Sequence, residues 1–411
     1  MLASFVVCLS TALAADTPPA NWPQWRGPSR DGVITAAQPW PANFEGLTQK
    51  WSTPKLGPSY SGPLVLSDRI ITTETVQAKN EVVTALDRAT GKPIWKKEWP
   101  GSMTVPFFAA KNGSWIRSTP AADESNVYIA GIRDVLVALD LKTGDEKWRI
   151  DFVEQLKVAP PDFGFVCSPL VDADGVYVQA GGAFHKVDKK TGQIIWSSLK
   201  DGGGMMGSAF SSPVFSTIAG KDQVLVQTRT QLAGVDRKDG SVIWKKAIPS
   251  FRGMNILTPV SVGSDGIFTS TYGGNTQLLK VKSNGGNYDA EPGWSFKYEG
   301  NMTTPVVVNG HAYFLGKDRR AVCMNLETGK QTWRTEKSYG EYWNLVANGD
   351  RILALDNRGT LFLLKANPAE FELLAEKKVA SAETWAHLAV AGNEIVIRDL
   401  YGLTAWNWNA K

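Results

Sequence analysis

The 411-residue chain is 43% hydrophobic and 20% charged, with 39 Gly and 16 Trp, a composition that fits a folded protein rich in turns and in regularly placed large aromatics. Its formal charge of +4 is spread along the chain with no basic run, which excludes an electrostatic footprint for nucleic acid. Beyond the first residues no run is long and apolar enough to read as a membrane helix.

Residues 1–14 form a short apolar stretch closing on Ala12-Leu13-Ala14, the pattern of a signal peptide cleaved after Ala14, so export to the periplasm or cell envelope, or secretion, is expected. Val7 stands where a lipobox needs Gly or Ala, so Cys8 does not read as a lipidation site. With the leader removed, Cys167 and Cys323 remain, about three repeats apart, and both read as buried small hydrophobes without a bridge.

From residue 85 onward one phrase recurs. It reads ALDRATGKPIW (85–95), ALDLKTGDEKW (138–148), KVDKKTGQIIW (186–196), GVDRKDGSVIW (234–244) and MNLETGKQTW (324–333). A further copy with a longer turn covers residues 280–294, and a decayed one, 361–379, has Leu373 or Leu374 where the Trp should be. Trp95, Trp148, Trp196, Trp244, Trp294 and Trp333 are separated by 53, 48, 48, 50 and 39 residues. Upstream of each phrase comes a Ser/Thr-Pro step, an apolar run, a polar turn and a second apolar run, as in STPAADESNVYIAG (118–131) and TTPVVVNGHAYFLG (303–316). Runs of four to six Val, Ile, Leu and Tyr bounded by Gly, Asp and Asn are short antiparallel strands. Four strands in about 40 to 50 residues is the period of a propeller blade.

Seven units begin at Pro63, Pro120, Pro169, Pro213, Pro259, Pro305 and near Leu345. An eighth, near Leu388, has only three strands, and the orphan strand LTQKWSTP (47–54), carrying Trp51, supplies the fourth. The expected fold is therefore all-β: an eight-bladed propeller of four-stranded antiparallel blades over 47–411, closed by 47–54 pairing with the C-terminal blade so that no sheet edge is left at the junction. In the recurring phrase the Asp accepts turn N–H groups, the Gly supplies a positive φ, and the Trp (51, 95, 148, 196, 244, 294, 333) docks its blade on the next, its N–H finding a partner there.

The phrase resembles the tryptophan-docking motif, Ala-x-Asp-x-x-Thr-Gly-x-x-x-Trp, of pyrroloquinoline quinone (PQQ) repeat proteins, and residues 85–95 and 138–148 match it at every fixed position. NWPQWRGPSRDG (21–32) looks like the opening segment of exported PQQ-like propellers, which implies that 15–46 run as an extended arm over the propeller with Trp22 and Trp25 in a groove. The resemblance covers two branches. Quinoprotein dehydrogenases hold PQQ and Ca²⁺ at the centre of one face with Asp, Glu and Asn, many with a vicinal disulfide. This chain has no Cys-Cys pair, lacks the long lid insertions, and offers no evident ligand set, so no cofactor is expected and PQQ with Ca²⁺ is the alternative. The other branch is non-catalytic, like the lipoprotein propeller of the outer-membrane barrel-assembly machinery.

The loops between each outer strand and the next inner strand converge on one face, where Trp115, Arg117, Phe165, Met205, Met206, Arg252, Asn255, Asn301, Trp343, Trp385 and His387 are candidates to line a central mouth able to hold a planar ligand or a peptide, or else simply to plug the channel. Arg133, Arg229, Arg319, Arg358 and Arg398 fall on hairpin turns of that face, either as an anion-attracting ring or as solvated turns. His185, His311 and His387 lie in different units, so no His metal site is expected. DADG (172–175) lacks the other ligands of a Ca²⁺ loop, and DGGGMMG (201–207) lacks the Lys-Ser/Thr and helix of a P-loop. The function expected is a monomeric scaffold of the cell envelope that binds an envelope protein, a peptide or a small polar ligand, and the alternative is a PQQ-dependent or sugar-binding oxidoreductase with an atypical site.

Overall fold

The computed structural model describes residues 20–35, 39–107, 110, 113–201, 209–300 and 302–409. The expected leader (1–14), Met205, Met206 and Asn301 lie outside them. The described residues form eight antiparallel sheets arranged as propeller blades, seven with four strands and one with five. Blade one runs over 64–100, blade two over 121–151, blade three over 170–198, blade four over 214–247, blade five over 260–296, blade six over 306–334 and blade seven over 343–378. Blade eight takes three strands from 389–408 and its outer strand from Leu47–Pro54, which pairs antiparallel with Gly402–Trp408. Inner strands descend from an upper face, where the proline steps lie, and the Asp-Thr-Gly turns are on the lower face. The middle strands of each blade are almost continuously buried, as in Arg69–Val76 and Asn80–Asp87, because they are covered by sheets on both sides.

The recurring phrase has the expected turn chemistry. Asp87 Oδ1 accepts the Thr90 N–H at 2.8 Å, Asp188 Oδ1 accepts that of Thr191 at 2.8 Å, and Asn325 Oδ1 accepts that of Thr328 at 2.9 Å. The Gly is required twice over. Gly91 has φ +71°, and a Cβ on it would lie 2.6 Å from the Trp51 ring of the preceding blade. Gly144, Gly192, Gly240 and Gly329 stand in the same way against Trp95, Trp148, Trp196 and Trp294. Each indole thus lies flat on the bare backbone of the next blade's turn.

The indole N–H groups of Trp51, Trp95, Trp148, Trp294 and Trp333 donate to carbonyls of the following blade, at Arg88, Leu141, Lys189, Leu326 and Asn367. Two positions depart from expectation. Trp244 donates to Gln223 of its own blade, and the Trp196 N–H takes no partner among the described residues. Trp244 faces blade five, which has no Thr-Gly turn. There the residues read as a longer turn instead extend the hairpin Thr276–Asn284 and Asn287–Phe296 around a two-residue Gly285-Gly286 turn with φ +59° and +88°.

Every outer strand carries a one-residue bulge just before the docking residue: Ile94 is skipped where Trp95 pairs with Ala85, and Lys50 where Trp51 pairs with Ala405. In blade seven the skipped residue is Leu374 and the residue in the Trp register is Ala375, paired with Leu363. The position expected to hold Leu373 or Leu374 is therefore an alanine.

The arm is also built differently from the expected extended cover. Residues 20–35 fold into the central channel from the lower face. Trp22 forms a two-way backbone bridge with Val65 of blade one, and Pro23 O accepts the Ala122 N–H of blade two. Strand Val33–Ile34 then adds parallel to Trp343–Asn348, giving blade seven its fifth strand. Between these contacts the chain reverses through Arg26 (φ +60°), Gly27 (φ +83°), Arg30 (φ +57°) and Gly32 (φ +73°). Gly27 has no room for a side chain, since a Cβ would meet the Trp22 ring at 2.8 Å. Trp40 and Phe44 leave the channel and pack on Trp408, at ring separations of 5.6 and 5.4 Å.

Cys167 and Cys323 are both buried and free, as expected. No helix among the described residues is long and apolar enough to cross a membrane.

Candidate functional site

The proline steps organise the upper end of the channel. The residue just before each step donates its backbone N–H to the side-chain oxygen of its counterpart in the next blade: Gly62 to Thr119, Thr119 to Ser168, Ser168 to Ser212, Ser212 to Thr258, and Thr258 to Thr304, at 2.9–3.2 Å. Where the proline is missing, Leu388 N donates to Asn344 Oδ1 at 2.7 Å instead. This belt explains why the repeat carries Ser or Thr before Pro. The hydroxyl accepts a backbone donor that would otherwise be buried unpaired.

The arm's tip sits inside the belt. Arg26 donates to Thr304 O at 2.8 Å and Pro305 O at 2.6 Å in blade six, and also to Asp31 O. Arg30 donates to Ser168 O at 3.0 Å and Pro169 O at 2.5 Å in blade three. The two guanidinium groups tie opposite walls of the channel together. Burial lowers them to about 10 for Arg26 and about 9 for Arg30, so both keep their charge at neutral pH.

Above the tip lies a mouth of about 560 Å³ with Trp25 in its lining. Three residues before each proline step, or its equivalent, one side chain per blade turns into it: Tyr60, Arg117, Val166, Phe210, Ile256, Met302, Tyr342 and Trp385. Two residues before the step the side chain turns the other way, between blades, which is the alternation of an extended strand. Trp385 and Tyr342 stack at 5.7 Å and 16°, and Tyr60 stands 5.9 Å from Trp385. Burial raises both tyrosines, to about 12, so the wall they make is uncharged. Arg117 lies 5.7 Å over the Tyr60 ring and donates to Gly113 O at 2.5 Å.

Of the residues the sequence nominated, Arg117, Trp385 and His387 meet in the mouth. Trp115 stands behind it, edge-on to Tyr60 at 5.5 Å. The others go elsewhere. Phe165 is buried between blades two and three against Phe152, and Trp343 is buried against Tyr339 and Phe362. The buried Asn255 amide donates to the carbonyls of Thr228, Arg229 and Ile248, fixing a loop. Arg252 is exposed beside Phe251. Trp25, Tyr60, Phe210 and Tyr342 were missed, although a constant distance from the proline step would have found Tyr60 and Phe210.

His387 is neutral. Burial, with Arg26 nearby, lowers it to about 3, and its Nδ1–H donates to Leu388 O at 2.8 Å. Its Nε2 is then a buried acceptor without a partner among the described residues. The hairpin-turn arginines do not form an anion ring. Arg398 and Arg229 are buried on backbone carbonyls, including Gly57 O and Arg252 O, while Arg319 pairs with Glu341 at 2.9 Å and Arg358 with Asp356 at 3.1 Å.

A calcium–quinone centre needs several oxygen ligands with carboxylates among them. Glu341 is the one carboxylate among the described residues lining the mouth, and it is committed to Arg319. No group of three His, Cys, Asp or Glu among the described residues could hold a metal ion. The residues present do not fit that group.

Residues 79–335 match the protein family described as outer membrane protein assembly factor BamB. The outer membrane protein assembly factor BamB of Moranella endobia is 24% identical over 309 residues, 73% of this chain and 74% of the relative. Among solved structures, BamB from Moraxella catarrhalis superposes with a TM-score of 0.63 at 15% identity, over 89% of this chain and 98% of that one. The quinohemoprotein alcohol dehydrogenase of Comamonas testosteroni does so with a TM-score of 0.52 at 14% identity, over 97% of this chain and 82% of that one, a likeness of fold alone.

Proposed function

This chain belongs to the outer membrane protein assembly factor BamB family, and from that premise we propose that it is an exported, non-catalytic scaffold of the cell envelope whose upper mouth holds a segment of a partner protein. The observation that carries this reading is the blind cup. The chain's own arm closes the channel, and each blade contributes one side chain to a rim that is apolar or aromatic at every position but Arg117. Such a surface on a closed ring of sheets is preorganised, so a partner segment orders without the cup having to rearrange. The relatives' description as an assembly factor supports a binding role.

The test is in-cell photo-cross-linking from position 251, where exposed Phe251 packs on the mouth residue Tyr272 at 6.1 Å. A photoreactive phenylalanine analogue there is expected to capture a defined envelope protein. Stoichiometric binding of PQQ with Ca²⁺ and turnover of an alcohol or sugar by the purified chain would overturn the scaffold reading. Export is tested by sequencing the mature N-terminus, expected at Ala15.

A further inference from the structure

We propose that the mouth recognises an acidic side chain flanked by an apolar one on an extended partner segment, with Arg117 taking the carboxylate and the Tyr60–Trp385–Tyr342 wall taking the apolar neighbour. This deepens the scaffold reading and rests on it.

Charge accounting gives the first argument. Lys317 is paired with Glu299 at 2.7 Å and Arg319 with Glu341 at 2.9 Å, so both are neutralised where they stand. Arg117 is bonded to a backbone carbonyl and covered by the Tyr60 ring, and no ion pair joins it to a carboxylate among the described residues; Glu383, the acid acting on Tyr60, is held instead by the Trp385 indole N–H at 2.9 Å. Its Nε is buried with no hydrogen-bond partner among the described residues. A guanidinium largely withdrawn from water and left without a counter-charge favours an incoming anion, and a charge-assisted pair formed there is stronger than one at an open surface.

The floor adds a second, independent argument. The hydroxyls of Thr119, Ser168, Ser212, Thr258 and Thr304 are each at least nine-tenths buried, line the mouth, and spend a lone pair on a backbone N–H. None has an acceptor for its own proton among the described residues. Beneath them Arg26 and Arg30 hold only carbonyls, with the Asp31 carboxylate the acid acting on Arg26. The floor is therefore rich in donors and positive charge. Among the described residues lining the mouth, His387 Nε2 is the one buried side-chain acceptor left unpaired against these donors.

Geometry supplies the rest. Arg117 and Trp385 lie on either side of Tyr60, at 5.7 and 5.9 Å from its ring. Each of those two steps is close to the spacing of neighbouring side chains on one face of an extended segment, about 7 Å along the chain. A carboxylate on Arg117 therefore puts an apolar side chain two residues away against Tyr60, at the near edge of the Trp385–Tyr342 wall.

The test uses the purified full-length chain panned against displayed peptides whose central residue is Asp, Glu, Asn or Gln and whose neighbours are random. Acidic centres are expected to be enriched about tenfold over their amides, the equivalent of one charge-assisted bond, with an aromatic or aliphatic residue two positions away. Arg117→Gln is expected to abolish the acid preference, Arg117→Lys to restore part of it, and Trp385→Ala to remove the apolar preference alone. Equal recovery of acid and amide peptides, an acid preference that survives in Arg117→Gln, or recovery of no peptide would overturn the proposal. Displacement of bound peptide by free phenylacetate at matching concentration would mean a small-molecule acid instead. Capture from position 251 that is equally efficient in Arg117→Gln would leave the scaffold reading standing and remove this one.

Discussion

Arg88 Nε stands 2.5 Å from Glu394 Oε2, a contact between the first blade and the last. Lys50, on the outer strand that the N-terminal region lends to blade eight, reaches Glu394 Oε1 at 3.0 Å. Arg88 also donates to Ala20 O and Leu66 O, so the arm, the seam and the closing strand meet at one guanidinium. Glu394 is 7% exposed and serves two cations, so Glu394→Ala leaves both without their counter-charge. Removing one partner of such a buried pair costs about 3–5 kcal/mol, whereas Lys282→Ala, which breaks the exposed bridge to Glu291, should leave the midpoint almost where it is in wild type. Urea denaturation of the two variants checks this, and equal midpoints would remove the seam as a determinant of closure.

The contact of Gly192 with Trp148 makes a second prediction. Trp148 is 8% exposed, donates to Lys189 O at 2.9 Å, and rests on Gly192. Trp148→Ala should cost about 3–5 kcal/mol through the cavity and the unpaired carbonyl. Gly192→Ala adds a single methyl, yet it should cost more than about 1 kcal/mol, since φ is +74° and the Cβ would lie 2.8 Å from the ring. Gly220→Ala, at φ +77° with nothing within 4 Å, isolates the backbone part of that cost. Thermal melts of the two glycine variants that coincide would show that docking adds nothing to the backbone effect.

The same contacts explain what could be read before the fold was seen. Blade number, closure by residues 47–54 and the turn chemistry follow from a repeat most of whose copies meet the same neighbour, so most copies report one environment. The mouth was half legible for the same reason. Tyr60, Phe210 and Ile256 stand at a fixed offset from a proline, whereas Phe165, Asn255 and Trp343 each stand one position off that register, and in an extended strand one position decides between channel and core. The arm was not legible as a plug because it occurs once. Nothing in NWPQWRGPSRDG states that its arginines will meet carbonyls of Thr304 and Ser168, which lie 278 and 138 residues away.

Two buried carboxylates give a pH prediction. Glu81 accepts from Ile132 N and Trp99 Nε1, and Asp134 from Gly181 N, each spanning a blade junction with no ion-pair partner among the described residues. Burial raises both to about 7. A carboxyl whose pKa is higher in the folded state binds its proton more tightly there, so its contribution is complete below the unfolded value and declines as pH rises through about 7. His185 and His387, lowered to about 4 and about 3, act oppositely: their contribution is present above 6.5 and is lost as pH falls. The two trends overlap in weak acid, so the readout is a difference. Stability of wild type minus that of Asp134→Asn should decline between pH 5 and pH 8. A flat difference would mean that Asp134 titrates alike in both states.

The plug makes the last prediction. Arg26 binds the carbonyls of Thr304, Pro305 and Asp31, and Arg26→Ala strands buried acceptors at about 1–3 kcal/mol each. The loss falls on the arm rather than on the ring, because the closing strand Leu47–Pro54 keeps its own pairing with Gly402–Trp408. The variant should therefore expose Arg30 to trypsin under conditions where the blades stay folded. Cleavage there should outpace wild type by the factor that the lost contacts imply, about tenfold for each 1.4 kcal/mol. The emission of Trp25, now free of Arg26 and Arg30 at 5.5 Å from its ring, should shift with it. If the arm of Arg26→Ala resists trypsin as wild type does while the melting temperature falls, the arginine serves the ring itself, and the arm is not a separately released plug.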